Sequence, residues 1–126
     1  MKKLFVLFLL LYSTLSIGEW IKFGQTIESN LYYEKSSISK ENGNNKIWIL
    51  KNYKTPFVFN NKTILSTKEF HEFDCVEKQS KVLSIVDFSG QMGVKKILSS
   101  FDPPDNFSLV RQGSSGYSIL QIVCNY

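Results

Sequence analysis

The 126-residue chain is poor in the groups that do chemistry. It has one histidine, two cysteines with no CxxC, three prolines and two methionines. A Ser/Cys–His nucleophile would have to be built on His71 alone. One imidazole and no CxxC leave no ordinary ligand set for zinc, so neither a metal nor a cofactor is expected. Beyond the amino terminus no apolar run approaches the ~20 residues of a spanning helix. The basic excess is small, 15 Lys+Arg against 11 Asp+Glu for a net charge of +4. It is dispersed along the chain, which argues against nucleic acid, whose partners carry a clustered basic face.

What the amino terminus does have is an export pattern. Lys2 and Lys3 precede an unbroken apolar run, Leu4–Tyr12, and the small residues Ser16 and Gly18 stand before Glu19. A charged start, a short hydrophobic core and a small-residue exit form a signal peptide. Residues 1–18 are therefore expected to be cut away between Gly18 and Glu19, leaving 19–126 as one domain. Two of the basic residues leave with it, which brings 13 cations against 11 anions, a net of +2. No cysteine follows the small residues, so a lipid-attachment leader is not supported.

In an oxidising compartment the even pair Cys75 and Cys124 reads as a disulfide, with two buried thiols as the alternative. Closing that loop contributes about 4 kcal/mol on the chain-entropy account.

Period-two patterning dominates the rest. Trp20–Gly24 and Leu31–Glu34 are short strands, and the polar stretch 36–45 ends in the turn cluster Glu41-Asn42-Gly43-Asn44-Asn45. Lys46–Tyr53 reads as a central strand stopped by Pro56, and Phe57–Lys62 as an exposed loop. Ser66–Glu77 and Lys81–Ser89 form a hairpin through Lys78-Gln79-Ser80. A glycine-bracketed turn, Ser89–Gly93, leads into Val94–Ser99, and Asp102-Pro103-Pro104-Asp105-Asn106 breaks regular structure. Ser114–Cys124 is ambiguous. Ser114 suits an N-cap, with Tyr117, Leu120 and Cys124 at helical spacing; Ile119, Ile122, Val123 and Gly116 argue against a helix.

Taken in order, Trp20, Tyr33 with Ser37-Ile38, Trp48-Ile49-Leu50 with Tyr53, Ser66, Phe73-Asp74-Cys75, Ser84, Phe88-Ser89-Gly90, Met92-Gly93, Gly113-Ser114 and Cys124 form a set that resembles the surface-adhesin protein E family. The resemblance implies an α+β fold: an antiparallel sheet of about six strands with a carboxy-terminal helix held on one face by the disulfide. It resolves Ser114–Cys124 toward helix. It also implies a bacterial envelope binding protein, not an enzyme, engaging host extracellular-matrix or other proteins, with homodimers among the assemblies the family forms. Phe107 departs from the family, standing where a tryptophan is usual. The missing lipid-attachment cysteine separates this chain from lipid-anchored display, and a periplasmic inhibitor or ligand-sequestering protein is the alternative.

Candidate sites divide along the same lines. Glu72 and Asp74 share a strand face and form the nearest thing to an acid pair, with solvated strand edges as the simpler reading. Gly113-Ser114-Ser115-Gly116 lacks the nucleophile-elbow spacing, and Gly90–Gly93 is a turn, not a phosphate loop. The triplets Asn61-Lys62-Thr63 and Asn106-Phe107-Ser108 are chance matches to a glycosylation signal in a bacterial chain. For binding a protein partner, the turn cations Lys78, Lys81, Lys95 and Lys96 and the aromatic surfaces of Tyr32, Tyr33 and Tyr53 are the candidates. Their plainer role is half-buried packing and protection of sheet edges.

Overall fold

The computed structural model describes residues 19–126; the expected leader, 1–18, lies outside them. Eight strands form one antiparallel sheet: β1 (Trp20–Gln25), β2 (Ser29–Glu34), β3 (Ser39–Glu41), β4 (Asn44–Phe59), β5 (Lys62–Asp74), β6 (Gln79–Phe88), β7 (Ile97–Phe101) and β8 (Ser108–Leu109). One helix, α1 (Ser115–Cys124), follows. Six strands lie side by side in the order β1-β2-β4-β5-β6-β7. β3 pairs with β4 and β8 with β6, each extending the row that β2 or β7 begins.

Several strand boundaries differ from the sequence reading. Pro56 does not end the central strand. β4 continues to Phe59, and the register jumps from Asn52↔Ser66 to Phe57↔Ile64, so the proline sits in a bulge, where its missing N–H costs no ladder bond. Phe57–Lys62 is consequently a hairpin arm closed by Asn60-Asn61, both in the left-handed region (φ 49 and 61), rather than a loop. Within the polar stretch 36–45, Ser39–Glu41 forms β3, and Asn42-Gly43 makes a tight turn (φ 53 and 83) back into β4. Glycine carries the larger positive φ there without a Cβ penalty. The β5–β6 turn falls at Cys75–Lys78, and β6 begins at Gln79. β7 runs two residues past Ser99.

The helix forms because packing overrides propensity. Ser114 caps it, its side chain accepting from the Tyr117 N–H at 3.1 Å. The β-branched Ile119 and Val123 are buried with Leu120 against Ile47, Ile49 and Phe73 of the sheet. The Asn45 side-chain amide donates to the Val123 carbonyl at 2.7 Å, satisfying a last-turn acceptor that the helix leaves open. The Cys75–Cys124 disulfide closes a sequence separation of 49 residues and fixes the end of α1 to the end of β5.

The opposite sheet face has its own cover. Trp48 and Phe70 pack with ring centroids 4.9 Å apart, and the Lys68 ammonium lies 5.5 Å from the Trp20 ring and 5.1 Å from the Phe88 ring. The β6–β7 loop folds onto this face at Ser66, whose hydroxyl donates to the Gly90 carbonyl at 2.5 Å and accepts from the Gly93 N–H at 2.8 Å. A Cβ at Gly90 would stand 2.7 Å from the Val94 carbonyl oxygen, so only glycine allows this close approach.

Candidate functional site

The helix covers only one half of its sheet face. Where α1 begins, at Ser115 and Gly116, a cleft of about 180 Å³ opens, walled by Phe23, Leu31, Ile49 and Phe73 and floored by Lys51, Glu69 and His71. The floor follows from strand register. Glu69 and His71 alternate onto one face of β5, and Lys51 reaches them from β4. Glu69 is 8% exposed. One of its carboxylate oxygens accepts from His71 Nε2 at 2.8 Å, and the other lies 3.0 Å from the Lys51 ammonium. Burial pushes the Glu69 carboxyl up, but the His71 hydrogen bond and the Lys51 charge outweigh it and hold the group at about 2. An ionised carboxylate only accepts, so the His71 proton sits on Nε2.

A second polar chain continues along this face. Tyr53 and Thr67 share a hydroxyl–hydroxyl hydrogen bond of 3.1 Å. Thr67 donates to Asp87 at 2.7 Å, and Ser99 donates to the other oxygen of Asp87 at 2.6 Å. Among the described residues no buried side-chain polar atom lacks a partner. Beyond Tyr53 the surface turns aromatic: Phe57 stacks on Tyr53 at 5.6 Å and Phe59 on Phe57 at 6.4 Å. Phe57 and Phe59 remain 46% and 58% exposed.

The residues expected to bind do not form one patch. Tyr53 and the exposed Lys95 and Lys96 lie at the open end of the sheet. Lys78 occupies the disulfide-end turn in the left-handed region (φ 54), its carbonyl accepting from the Val110 N–H. Lys81 is engaged with Asp105 at 2.5 Å and lies 4.5 Å from the Phe107 ring centroid. The Asp105 hydrogen bond raises its ammonium above the usual lysine range. Tyr33 packs against the core beside Phe23, and Tyr32 alternates onto the opposite face.

The acids Glu72 and Asp74 are also occupied. Glu72 accepts from the Asn44 amide at 2.9 Å and lies between Lys46 and Lys81. Asp74 accepts from the backbone N–H groups of Val76 and Glu77, ordering the turn that follows Cys75. His71 has Glu69 as its hydrogen-bond partner, with no hydroxyl or thiol placed on the ring.

Sequence reasoning missed Lys51, the Glu69–His71 pair and the arm Phe57-Val58-Phe59. Glu69 and His71 stand two apart on a strand, which was the available sign. The arm was marked by three apolar residues set between a proline and an Asn-Asn turn.

Similarity to known proteins agrees with this architecture. The chain superposes on the structure of crystal form II of Haemophilus influenzae protein E with a TM-score of 0.67, 13% identity, and 90% of this chain and 91% of that one covered. Protein E from non-typeable Haemophilus influenzae gives a TM-score of 0.64 at 14% identity, covering 90% of this chain and 79% of that one. At such identities the likeness establishes a shared fold. No curated protein sequence matches. A family model described as surface-adhesin protein E matches residues 20–125, from the first strand to the end of the helix, and the chain belongs to that family.

Proposed function

We propose that this chain is an exported envelope module of the adhesin type, binding host extracellular-matrix or other proteins through the uncovered half of its helix-bearing face. The observation that carries the reading is the family match over residues 20–125, coextensive with the sheet and helix. The amino-terminal pattern supports export, with residues 1–18 removed between Gly18 and Glu19. Tyr53, Lys51 and the rim of the cleft are the chosen surface because they combine a rigid scaffold, a large aromatic contact and charge. Tyrosine offers such contact area at low entropic cost.

Solid-phase binding of the 19–126 chain to matrix proteins at physiological salt tests the reading. Saturable binding that falls at least tenfold in Tyr53→Ala is expected. Binding no better than that of a control protein of equal charge would remove the adhesin assignment.

The cleft itself favours a second reading, a periplasmic protein that sequesters a small ligand. Its mostly apolar walls and ordered polar floor are the features of small-molecule sites, though its size is below their usual range. Cell fractionation separates the two, since periplasmic release with no surface exposure belongs to the sequestering protein.

A further inference from the structure

The β4–β5 arm carries a feature that the protein-binding face does not use. β2 stops pairing with β4 at Tyr53, and β6 stops pairing with β5 at Ser66. Residues 54–59 and 62–65 therefore continue as a two-stranded ribbon beyond the sheet. At its end Phe57, Val58 and Phe59 are 46%, 66% and 58% exposed. Successive strand side chains point to opposite faces, so both faces of the ribbon present apolar surface. The ribbon leans toward β7, where Ile64 is buried and the Lys62 ammonium donates to the Leu98 carbonyl at 3.0 Å, while its outer apolar side chains stay in water. The adjacent β1–β2 turn adds Ile27, 96% exposed and held beside the ribbon by the hydrogen bond from the Lys54 N–H to the Glu28 carbonyl.

The charge around this tip is mostly positive. Residues 52–66 and 89–98 contain Lys54, Lys62, Lys95 and Lys96, all exposed, and no acidic residue. Among the described residues none of these four is in an ion pair. Two acids adjoin the tip: Glu28, whose carbonyl accepts from the Lys54 N–H, and Asp87, which lines a pocket with Phe59, Asn60 and Lys62 and has both carboxylate oxygens engaged by Thr67 and Ser99. The other end of the sheet holds Glu41, Glu72, Asp74, Glu77 and Asp105. Apolar residues at a tip, with the exposed cations Lys54, Lys95 and Lys96 at the same end of the sheet, match the interface of an anionic bilayer, where aromatic groups sit at headgroup depth and lysines meet lipid phosphates.

We propose that the ribbon tip docks this protein on an anionic phospholipid surface. Asn60-Asn61 at the turn keeps the insertion shallow, with Phe57 and Phe59 at the boundary between headgroups and acyl chains. The docking is peripheral, and its tip adjoins the protein-binding face through the stack of Phe57 on Tyr53.

Vesicle co-sedimentation of the 19–126 chain tests it. The whole sheet, the helix, the disulfide and the family match lie within those residues, and omitting the apolar leader removes its own affinity for lipid. Expected is binding to phosphatidylcholine vesicles containing one quarter phosphatidylglycerol, at least tenfold weaker binding to pure phosphatidylcholine, and loss in high salt. Phe57→Ser with Phe59→Ser should weaken it tenfold or more while the chain stays folded at the assay temperature, as read from its circular-dichroism spectrum. Lys95→Glu with Lys96→Glu should do the same, whereas Lys40→Glu with Lys78→Glu, the same charge change at the other end, should not. Absence of binding to the anionic vesicles overturns the proposal, as does equal weakening by the two charge-reversal pairs. Vesicle binding that ignores the phenylalanine changes, while matrix-protein binding is lost, would assign the ribbon to a protein partner and overturn it as well.

Discussion

At the disulfide end of the sheet Phe73 is 1% exposed beneath the helix, whereas Phe57 and Phe59 at the ribbon end keep 46% and 58% of their surface in water. All three phenylalanines lie on β4 or β5, so the strands do not distinguish them; what differs is what lies on top. At one end α1 is pinned by Cys75–Cys124, tied by Asn45 and flanked by β3 and β8. At the other, β4 and β5 outrun β2 and β6; Ile64 is buried and Lys62 donates to the Leu98 carbonyl of β7, but Phe57 and Phe59 stay largely uncovered. One end serves stability and leaves the other free to carry exposed aromatic surface, which an isolated two-stranded ribbon could not hold in shape unaided.

The largest effect should come from emptying the closed end. Phe73→Ala removes a sealed aromatic from the helix–sheet core and should cost about 3–5 kcal/mol, read from denaturant midpoints at constant m-value. A cost below about 1 kcal/mol would mean that the helix does not seal this end in solution.

Opening the bridge comes next. Cys75→Ser or Cys124→Ser should lower stability by about 2–5 kcal/mol and raise amide exchange in α1 more than in the β4–β5 ribbon. Equal unfolding curves with and without reductant would erase the distinction between the ends.

Between them lies the ion network of the cleft floor. The Glu69 carboxyl titrates near 2 in the folded chain, against an ordinary value of 4.5. Its stabilisation is therefore fully present above about pH 4.5 and is lost as the pH falls through 2. The difference corresponds to about 3 kcal/mol. Glu69→Gln should destabilise by about 1–3 kcal/mol at pH 7 and flatten the loss of stability between pH 5 and 2. An acid profile identical to that of the parent chain would place the sensitivity elsewhere.

How far these differences could be read beforehand depends on the range of the interaction responsible. Trp48-Ile49-Leu50 announces a central strand because alternation and apolar content are local, and Asn42-Gly43 announces its turn for the same reason. The closing disulfide was legible because only two cysteines exist. Pro56 misled because a proline's effect depends on whether its missing donor faces a ladder or a bulge, which neighbouring strands decide. Ser115–Cys124 is helical against its β-branched content because Ile119 and Val123 gain more from burial on Ile47 and Phe73 than they lose in rotamer freedom. Lys51 joins Glu69 and His71 through register alone, and Lys81 is committed to Asp105 across 24 positions; neither association leaves a mark in the local sequence.

The smallest effect belongs to the open end. Phe59→Ser should change stability by less than about 1 kcal/mol, since the side chain is more than half exposed and leaves no sealed cavity behind. Phe57→Ser should sit slightly higher, because its ring stacks on both Tyr53 and Phe59. Chemical denaturation of the two variants beside Phe73→Ala supplies the sharpest form of the comparison, one residue type on the same paired strands. Should Phe59→Ser cost as much as Phe73→Ala, the ribbon is covered in solution by something other than water, and the asymmetry that leaves this arm available for docking does not exist.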